Sequence, residues 1–283
     1  MRLLVFGATG QVARALQRLA PGAVYLGRDR ADLGDPQACA AAVLAHSPEA
    51  VINAAAWTAV DRAETDEAAA TQVNGAAPTA MAHACARLGA PLVQISTDYV
   101  FDGSGEEPFA TDDPTHPINA YGRSKLAGEV GVRAAGGPHA ILRTSWVFSA
   151  DGANFVKTML RLGAERADLK VVADQVGGPT PAEAIARACL TIAGALRDDP
   201  GLSGTCHLSG SPDTSWAGFA EAIMAEAALP CRISPIATRD YPTPAPRPAN
   251  SRLDCTSLAR FGLQRPDWRP ALQAVIAQLK DTP

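Results

Sequence analysis

Leu3-Leu4-Val5-Phe6-Gly7-Ala8-Thr9-Gly10-Gln11-Val12-Ala13 joins a short apolar run to a glycine-rich turn and then to the start of a helical pattern. A strand passing through such a turn into a helix gathers unpaired N–H groups and the positive end of a helix dipole at one point, which suits a pyrophosphate. The spacing is G-x-x-G-x-x-A, and Ala13 is small enough to let the helix pack closely on the strand. A turn of this kind also serves as a plain strand-helix connection, so its meaning depends on the rest of the chain.

Working outward, apolar runs over 3–6, 23–26, 51–54, 92–96 and 140–145 alternate with segments rich in Ala and Arg. Short buried strands between amphipathic helices predict an α/β fold, a Rossmann-type doubly wound parallel sheet. Asp35-Pro36 reads as a helix N-cap followed by proline at the first helical position, and Gly89-Ala90-Pro91 as a helix stop before a strand. Beyond about residue 150 the pattern loosens into a helix over 154–164, a strand over 170–172, a loop over 174–180 and a helix from Ala182. Four prolines within 241–248 forbid regular helix or central strand there. The expected organisation is a dinucleotide-binding Rossmann domain over 1–150 and, over 151–283, mainly a smaller C-terminal α/β substrate-binding cap interleaved with the sheet. No internal repeat is present.

Composition narrows the function. The 283 residues are 47% apolar and 19% charged, which excludes a disordered chain. The net charge of -4 comes from 25 basic and 29 acidic residues without any block of like charge, so no footprint for nucleic acid exists. No apolar run reaches the ~20 residues that span a bilayer, and the first apolar run meets the glycine turn too soon for a signal-peptide core. A cytoplasmic address without a membrane partner is expected. Six cysteines lack any C-x-x-C pair, and no histidine stands i, i+4 from another, which argues against a zinc or dithiol centre. These residues read as core or solvated groups.

Two further features carry chemistry. The second strand ends Tyr25-Leu26-Gly27-Arg28-Asp29-Arg30, where a dinucleotide site meets the adenine ribose. Arg28 suits a 2′-phosphate and favours NADPH over NADH, while Asp29 beside it suits a 2′-hydroxyl. Tyr121-Gly122-Arg123-Ser124-Lys125 sets a phenol and an ammonium at i and i+4, one above the other on a helix. With four tyrosines and four lysines in the chain, chance gives such a pair roughly once in twenty sequences. A fixed positive charge is expected to lower a phenol from its usual ~10 by a few units, each worth ~1.4 kcal/mol, and so make it a usable acid or base. Ser96 and Thr97 lie at the carboxyl edge of the sheet, where either hydroxyl can meet a carbonyl oxygen or cap the following turn.

Glycine loop, strand-end threonine and Tyr-x-x-x-Lys, in this order and spacing, resemble the extended short-chain dehydrogenase/reductase superfamily, which acts on nucleotide sugars. Within it the chain is similar to the branch that reduces the C4 keto group of 4-keto-6-deoxy-L-sugar nucleotides. The resemblance covers nearly the whole length, also at 143–147, 154–160 and 247–251. Its segments over 53–64 and 96–103 are specific to that branch. It implies that Gly7, Gly10, Gln11 and Val12 hold the cofactor pyrophosphate, that Asp32 and Leu33 flank the adenine, and that Ala54, Ala55, Ala56 and Thr58 line the nicotinamide half. Tyr121 and Lys125 would serve both cofactor and catalysis, Tyr121 giving a proton to the developing alkoxide while Thr97 and Lys125 stabilise its charge. Thr97, Asp98, Trp146 and Arg247 would contact the nucleotide sugar. Trp146 reads equally well as a large core residue. Arg247 matches a diphosphate in geometry, and reads equally well as a solvated arginine.

The resemblance has two departures. The third glycine of the loop is replaced by Ala13. Some relatives bind Mg²⁺ between acidic residues at a dimer interface; Glu183 fits one such position, but the amide of Gln278 stands at the other and suits a hard cation poorly, so no strong metal site is expected. The chain would then be a monomer or a homodimer. A 4,6-dehydratase needs an acid-base pair after the threonine, whereas Asp98 is followed by Tyr99; a 4-epimerase has a different strand end. A non-catalytic NADP-binding regulatory subunit is the other class of reading, against which stand Thr97, Tyr121, Lys125 and Trp146 together.

Overall fold

A computed structural model describes residues 1–281. Its first half alternates β1 (Leu3–Phe6), α1 (Gln11–Leu19), β2 (Val24–Leu26), α2 (Pro36–His46), β3 (Ala50–Asn53), α3 (Val60–Ala63), α4 (Glu67–Thr71), α5 (Ala77–Leu88), β4 (Leu92–Thr97), α6 (Ala120–Ala134) and β5 (His139–Thr144). The second half adds β6 (Val147–Phe148), α7 (Phe155–Glu165), β7 (Asp168–Val172), β8 (Val176–Gly177), β9 (Thr180–Pro181), α8 (Ala182–Asp198), β10 (Gly204–His207), β11 (Thr214–Ser215), α9 (Trp216–Ala227), β12 (Arg232–Ile236), β13 (Asn250–Ser251) and α10 (Trp268–Lys280).

Six strands form one parallel sheet in the order β10-β5-β4-β3-β1-β2. Being covered on both faces, the inner strands β1 and β3 are buried on both sides, which is why they read as continuous apolar runs, whereas the edge strand β10 (Gly204-Thr205-Cys206-His207) carries no such run and is not legible in the sequence. Val5, Ile52, Val93 and Leu142 pack with α1 and α8 on one face, and Phe6, Val51, Leu92 and Ile141 with α2 and α5 on the other. Each such aliphatic side chain, fully buried, contributes about 1.5–3 kcal/mol. The chain leaves β1 toward β2 on one side and β3 on the other, so the crevice at their carboxyl ends is the switch point where ligands of such sheets bind.

A separate core lies under the later helices, where Phe148, Val156, Met159, Phe219, Ile223, Trp268 and Leu272 pack together beside the parallel pair β7 and β12. β10 and α8 belong by position to the second half of the chain, yet they complete the first sheet and its cover.

Local signals act as expected. Asp35 caps α2 by accepting from Ala38 N at 3.0 Å, and Gly89 ends α5 at φ +66°. Asn154 caps α7, which therefore begins one residue later than the 154–164 reading. The 174–180 segment, read as loop, contains β8 and the first residue of β9. Each has only two residues, too few for a periodic pattern, and β8 gains its partners β11 and β13 from distant parts of the chain.

Candidate active site

The glycine loop fits a pyrophosphate on two counts. Gly7 has φ +107°, which strains any other residue, and a Cβ on it would stand only 3.2 Å from the Ala54 carbonyl carbon, so the space beside it is tight as well. Gly10 caps α1 without any side-chain bond, leaving the first-turn N–H groups open at the positive end of the helix. Gly7 N donates to Leu26 O at 2.8 Å and Ala54 N to Phe6 O at 2.9 Å, which draws the ends of β1, β2 and β3 around one crevice. Val12 is buried beneath the loop. Gln11 reaches away from it, accepting from Ser149 Oγ at 2.9 Å and Asn154 Nδ2 at 3.0 Å.

Arg28 stands exposed beyond β2, with a 3.9 Å ion pair to Asp32 as its one charged partner among the described residues. Asp32 also accepts from Gly34 N at 2.8 Å, and Leu33 is buried beside it. Ala54, Ala55, Ala56 and Thr58 form the turn after β3. Asn53 shapes its start by accepting from Ala55 N at 3.2 Å. Asn74, in the π-helical turn Gln72–Ala76, clamps its middle: it accepts from Trp57 N at 2.8 Å and donates to Trp57 O at 3.0 Å and Ser124 Oγ at 2.9 Å. The sequence reading missed Asn74, whose partners are all distant in the chain.

Tyr121 and Lys125 ride on the first turns of α6. Asn119 starts this helix by accepting from Gly122 N at 2.8 Å and fastens it to the proline-rich segment through Pro246 O at 2.9 Å. Its position before the helical run was a readable cap signal that the sequence analysis did not use. A Cβ on Gly122 would collide with Tyr99 O, so glycine lets α6 close on the turn after β4. In that turn Thr97 Oγ1 donates to Asp98 Oδ1 at 2.9 Å and accepts from Tyr99 N at 3.2 Å, and the Tyr99 ring stands edge-on to Tyr121 at 5.5 Å. The alternation of β4 separates the two strand-end hydroxyls: Thr97 contacts the Tyr121 phenol, while Ser96 donates to Glu129 at 2.6 Å on the other face.

The electrostatics correct one expectation. Lys125 does not lower the Tyr121 phenol; burial raises it, and the Asp98 charge raises it further, against contact with the Thr97 hydroxyl. The Lys125 ammonium is bound to Ile95 O at 2.7 Å, and burial brings it down to about 8 against the pull of Glu129. Burial likewise pushes the Asp98 carboxyl up to about 6, its hydrogen-bond donors acting in the opposite sense. Its Oδ2 has no partner among the described residues.

Two expected substrate contacts lie on the cap side. Trp146 follows β5 with φ +49°, a conformation that costs a bulky residue about 1–3 kcal/mol. Its ring stacks on Trp216 with centroids 3.6 Å apart. Arg247 is paired rather than free in solvent: it donates to Asp61 Oδ1 at 2.8 Å and to Ala245 O at 3.0 Å. Glu183, in the first turn of α8, pairs with Arg187 at 2.6 Å, and Gln278 lies on α10. No helix among the described residues is long and apolar enough to cross a membrane.

Residues 1–281 match the family model described as RmlD substrate binding domain. The chain is similar to the dTDP-4-dehydrorhamnose reductase of Burkholderia thailandensis, 48% identical over 296 residues that cover 99% of each chain. It is also similar to the crystal structure of a dTDP-4-dehydrorhamnose reductase from Clostridium acetobutylicum, with TM-score 0.92, 36% identity and coverage of 99% of this chain and 100% of that one. A third similarity is to the reductase of that name from Bacillus anthracis, solved in complex with NADP, with TM-score 0.91, 35% identity and coverage of 98% and 99%.

Proposed function

Because the chain belongs to the RmlD substrate binding domain family, we propose that it reduces the C4 keto group of dTDP-4-dehydro-L-rhamnose to give dTDP-L-rhamnose, the last step of dTDP-rhamnose biosynthesis. It is an oxidoreductase of the extended short-chain fold. The observation that carries the reading is the cluster of Thr97, Tyr121 and Lys125 at the carboxyl edge of the sheet, beside an uncapped glycine loop. NADPH, when bound, supplies the hydride.

The chain's own residues do the rest. Gly7, Gly10, Gln11 and Val12 receive the pyrophosphate by main-chain N–H groups, and Arg28 the 2′-phosphate, which sets NADPH above NADH. Asp32 and Leu33 meet the adenine; Ala54, Ala55, Ala56 and Thr58 bound the nicotinamide half. Thr97 turns its hydroxyl from Asp98 to the C4 oxygen. Tyr121 holds its proton firmly at neutral pH because its phenol is raised, and releases it to the oxygen only as that oxygen becomes an alkoxide, a stronger base than any phenolate. Lys125, largely protonated at neutral pH, supports the negative charge left behind. Asp98 and Trp146 border the sugar, and Arg247 exchanges Asp61 for the diphosphate. The nucleotide-binding part is assigned to 1–150 and the substrate cap mainly to 151–283. A cytoplasmic location belongs to the same reading.

The test follows NADPH absorbance with the purified protein and dTDP-4-keto-L-rhamnose made in situ by the preceding dehydratase and epimerase, beside a no-protein control and an NADH trial. Oxidation that requires both the protein and the keto sugar is expected. Folded, cofactor-binding protein that leaves NADPH unspent would overturn the reading.

A further inference from the structure

We propose that Trp216, which has no role in the reaction above, is a positioning residue that holds Trp146 so that the edge of its indole, rather than a face, meets the sugar. The part that concerns the sugar rests on the reductase reading. Among the described residues Trp146 is one of three other than glycine with positive φ, and a bulky side chain keeps that conformation only where its surroundings impose it. The constraint comes from several sides. Its carbonyl accepts from Thr180 N at 3.1 Å, and the next two residues pair as β6 with β9. A Cβ on Gly177 would lie 3.0 Å from Trp146 Cε2 and 3.3 Å from Cζ2, so the backbone of β8 rests against the six-membered ring.

Trp216 supplies the remaining support. Its ring lies within 12° of parallel to that of Trp146 at 3.6 Å and covers one face. It is the first residue of α9, set by the Ser215 cap that accepts from Gly218 N at 3.0 Å. Behind it Phe155 packs at 4.6 Å and stacks in turn on Phe219, which meets Trp268 edge-on at 5.3 Å. A row of aromatic rings thus runs from Trp146 into the cap core, and the position of one indole at the site is set by the packing of the cap. Both stacked indoles keep partial exposure. Trp57 and Trp268 donate their N–H groups to Ala59 O and Pro212 O, whereas Trp146 Nε1 meets no acceptor among the described residues. With one face on Trp216 and the six-membered ring against the backbone of Gly177, the edge that carries the N–H is the polar contact that Trp146 offers, in keeping with the two-sided character of indole.

The test uses full-length protein labelled with 5-fluorotryptophan, whose four tryptophans give separate fluorine resonances, with Trp146→Phe as the assignment. In Trp216→Leu the Trp146 resonance is expected to shift and broaden, and KM for the keto sugar to rise roughly tenfold, as a misplaced substrate contact does. The affinity for NADPH stays within about twofold, so the loss lies in sugar binding rather than in the fold. Trp216→Phe, which keeps a flat partner, restores most of both signals. An unmoved Trp146 resonance in folded Trp216→Leu, an unchanged KM, or a Trp216→Phe variant as impaired as Trp216→Leu would each overturn the inference. If the unaltered protein does not turn over the keto sugar, the reductase reading fails, and the fluorine spectra alone decide the positioning role.

Discussion

Lys125 donates to the main-chain carbonyl of Ile95 at 2.7 Å, so the charge that shares a helix face with Tyr121 is fastened to strand β4. In the protein without cofactor its ammonium titrates at about 8, below the ordinary 10.5, because burial disfavours the charged form.

The sign of the pH effect follows. Between about 8 and 10.5 the folded chain binds fewer protons at Lys125 than the unfolded chain, so this residue's contribution to stability improves as pH rises through that window. Binding has the opposite trend under the proposed function, in which the Lys125 ammonium serves the cofactor. NADPH affinity is expected to fall as pH rises through about 8, and Lys125→Met to weaken binding and abolish that dependence. Fluorescence titration of NADPH across the pH range checks both; a pH-independent affinity in the unaltered protein would contradict the assignment.

Tyr121→Phe removes the proton donor while keeping the ring that packs edge-on against Tyr99. Turnover should drop about 10²–10⁴-fold, the usual reach of general acid catalysis, with NADPH affinity nearly kept. Steady-state kinetics beside a cofactor titration separate the two, and retained turnover would assign the proton to another group.

Among the described residues Arg28 has no partner but Asp32 at 3.9 Å, so its replacement costs the structure little. A charge-assisted hydrogen bond is worth about 1.5–3 kcal/mol, hence Arg28→Ala should raise KM for NADPH about tenfold to a hundredfold. KM for NADH should hardly move. Equal losses for the two cofactors would show that Arg28 does not read the 2′-phosphate.

Beneath the site, Arg143 on β5 makes a two-pronged pair with Glu129 on α6, at 2.9 and 2.7 Å, and both are buried. Burial alone would raise the Glu129 carboxyl, but Arg143, Ser96 and Arg133 outweigh it and hold the carboxyl below its usual range. The folded form therefore gains stability from ionised Glu129 at neutral pH and loses it as pH falls through the carboxylate range below about 4.5. Glu129→Leu leaves Arg143 buried and unpaired and should cost about 3–5 kcal/mol, much of it recovered by adding Arg143→Met. Urea unfolding of both variants measures this; a harmless single replacement would contradict it.

The parts of the fold legible in the sequence are those set by neighbours along the chain. β1 to β5 announce themselves as short apolar runs, Asp35 and Gly89 mark helix ends, and Tyr121 and Lys125 share a face by helical spacing. What the sequence hid depends on residues far apart in it. Nothing near Arg247 predicts Asp61 as its partner, nothing near Glu129 marks Arg143, and the two-residue strand β8 finds its partners β11 and β13 only in the folded chain. The Tyr121 phenol was misjudged for the same reason: helical spacing brings Lys125 near it, but only the folded sheet supplies the burial and the Asp98 charge that raise it.

The most direct measurement is the fate of a label. The protein is incubated with dTDP-4-keto-L-rhamnose and NADPH deuterated at the transferable position of the nicotinamide, and the sugar nucleotide is read by mass spectrometry and NMR. The account predicts dTDP-L-rhamnose with deuterium at C4, formed as NADPH is spent and almost absent with Tyr121→Phe. Unlabelled keto sugar recovered intact beside unspent NADPH, from protein that binds the cofactor, would contradict it.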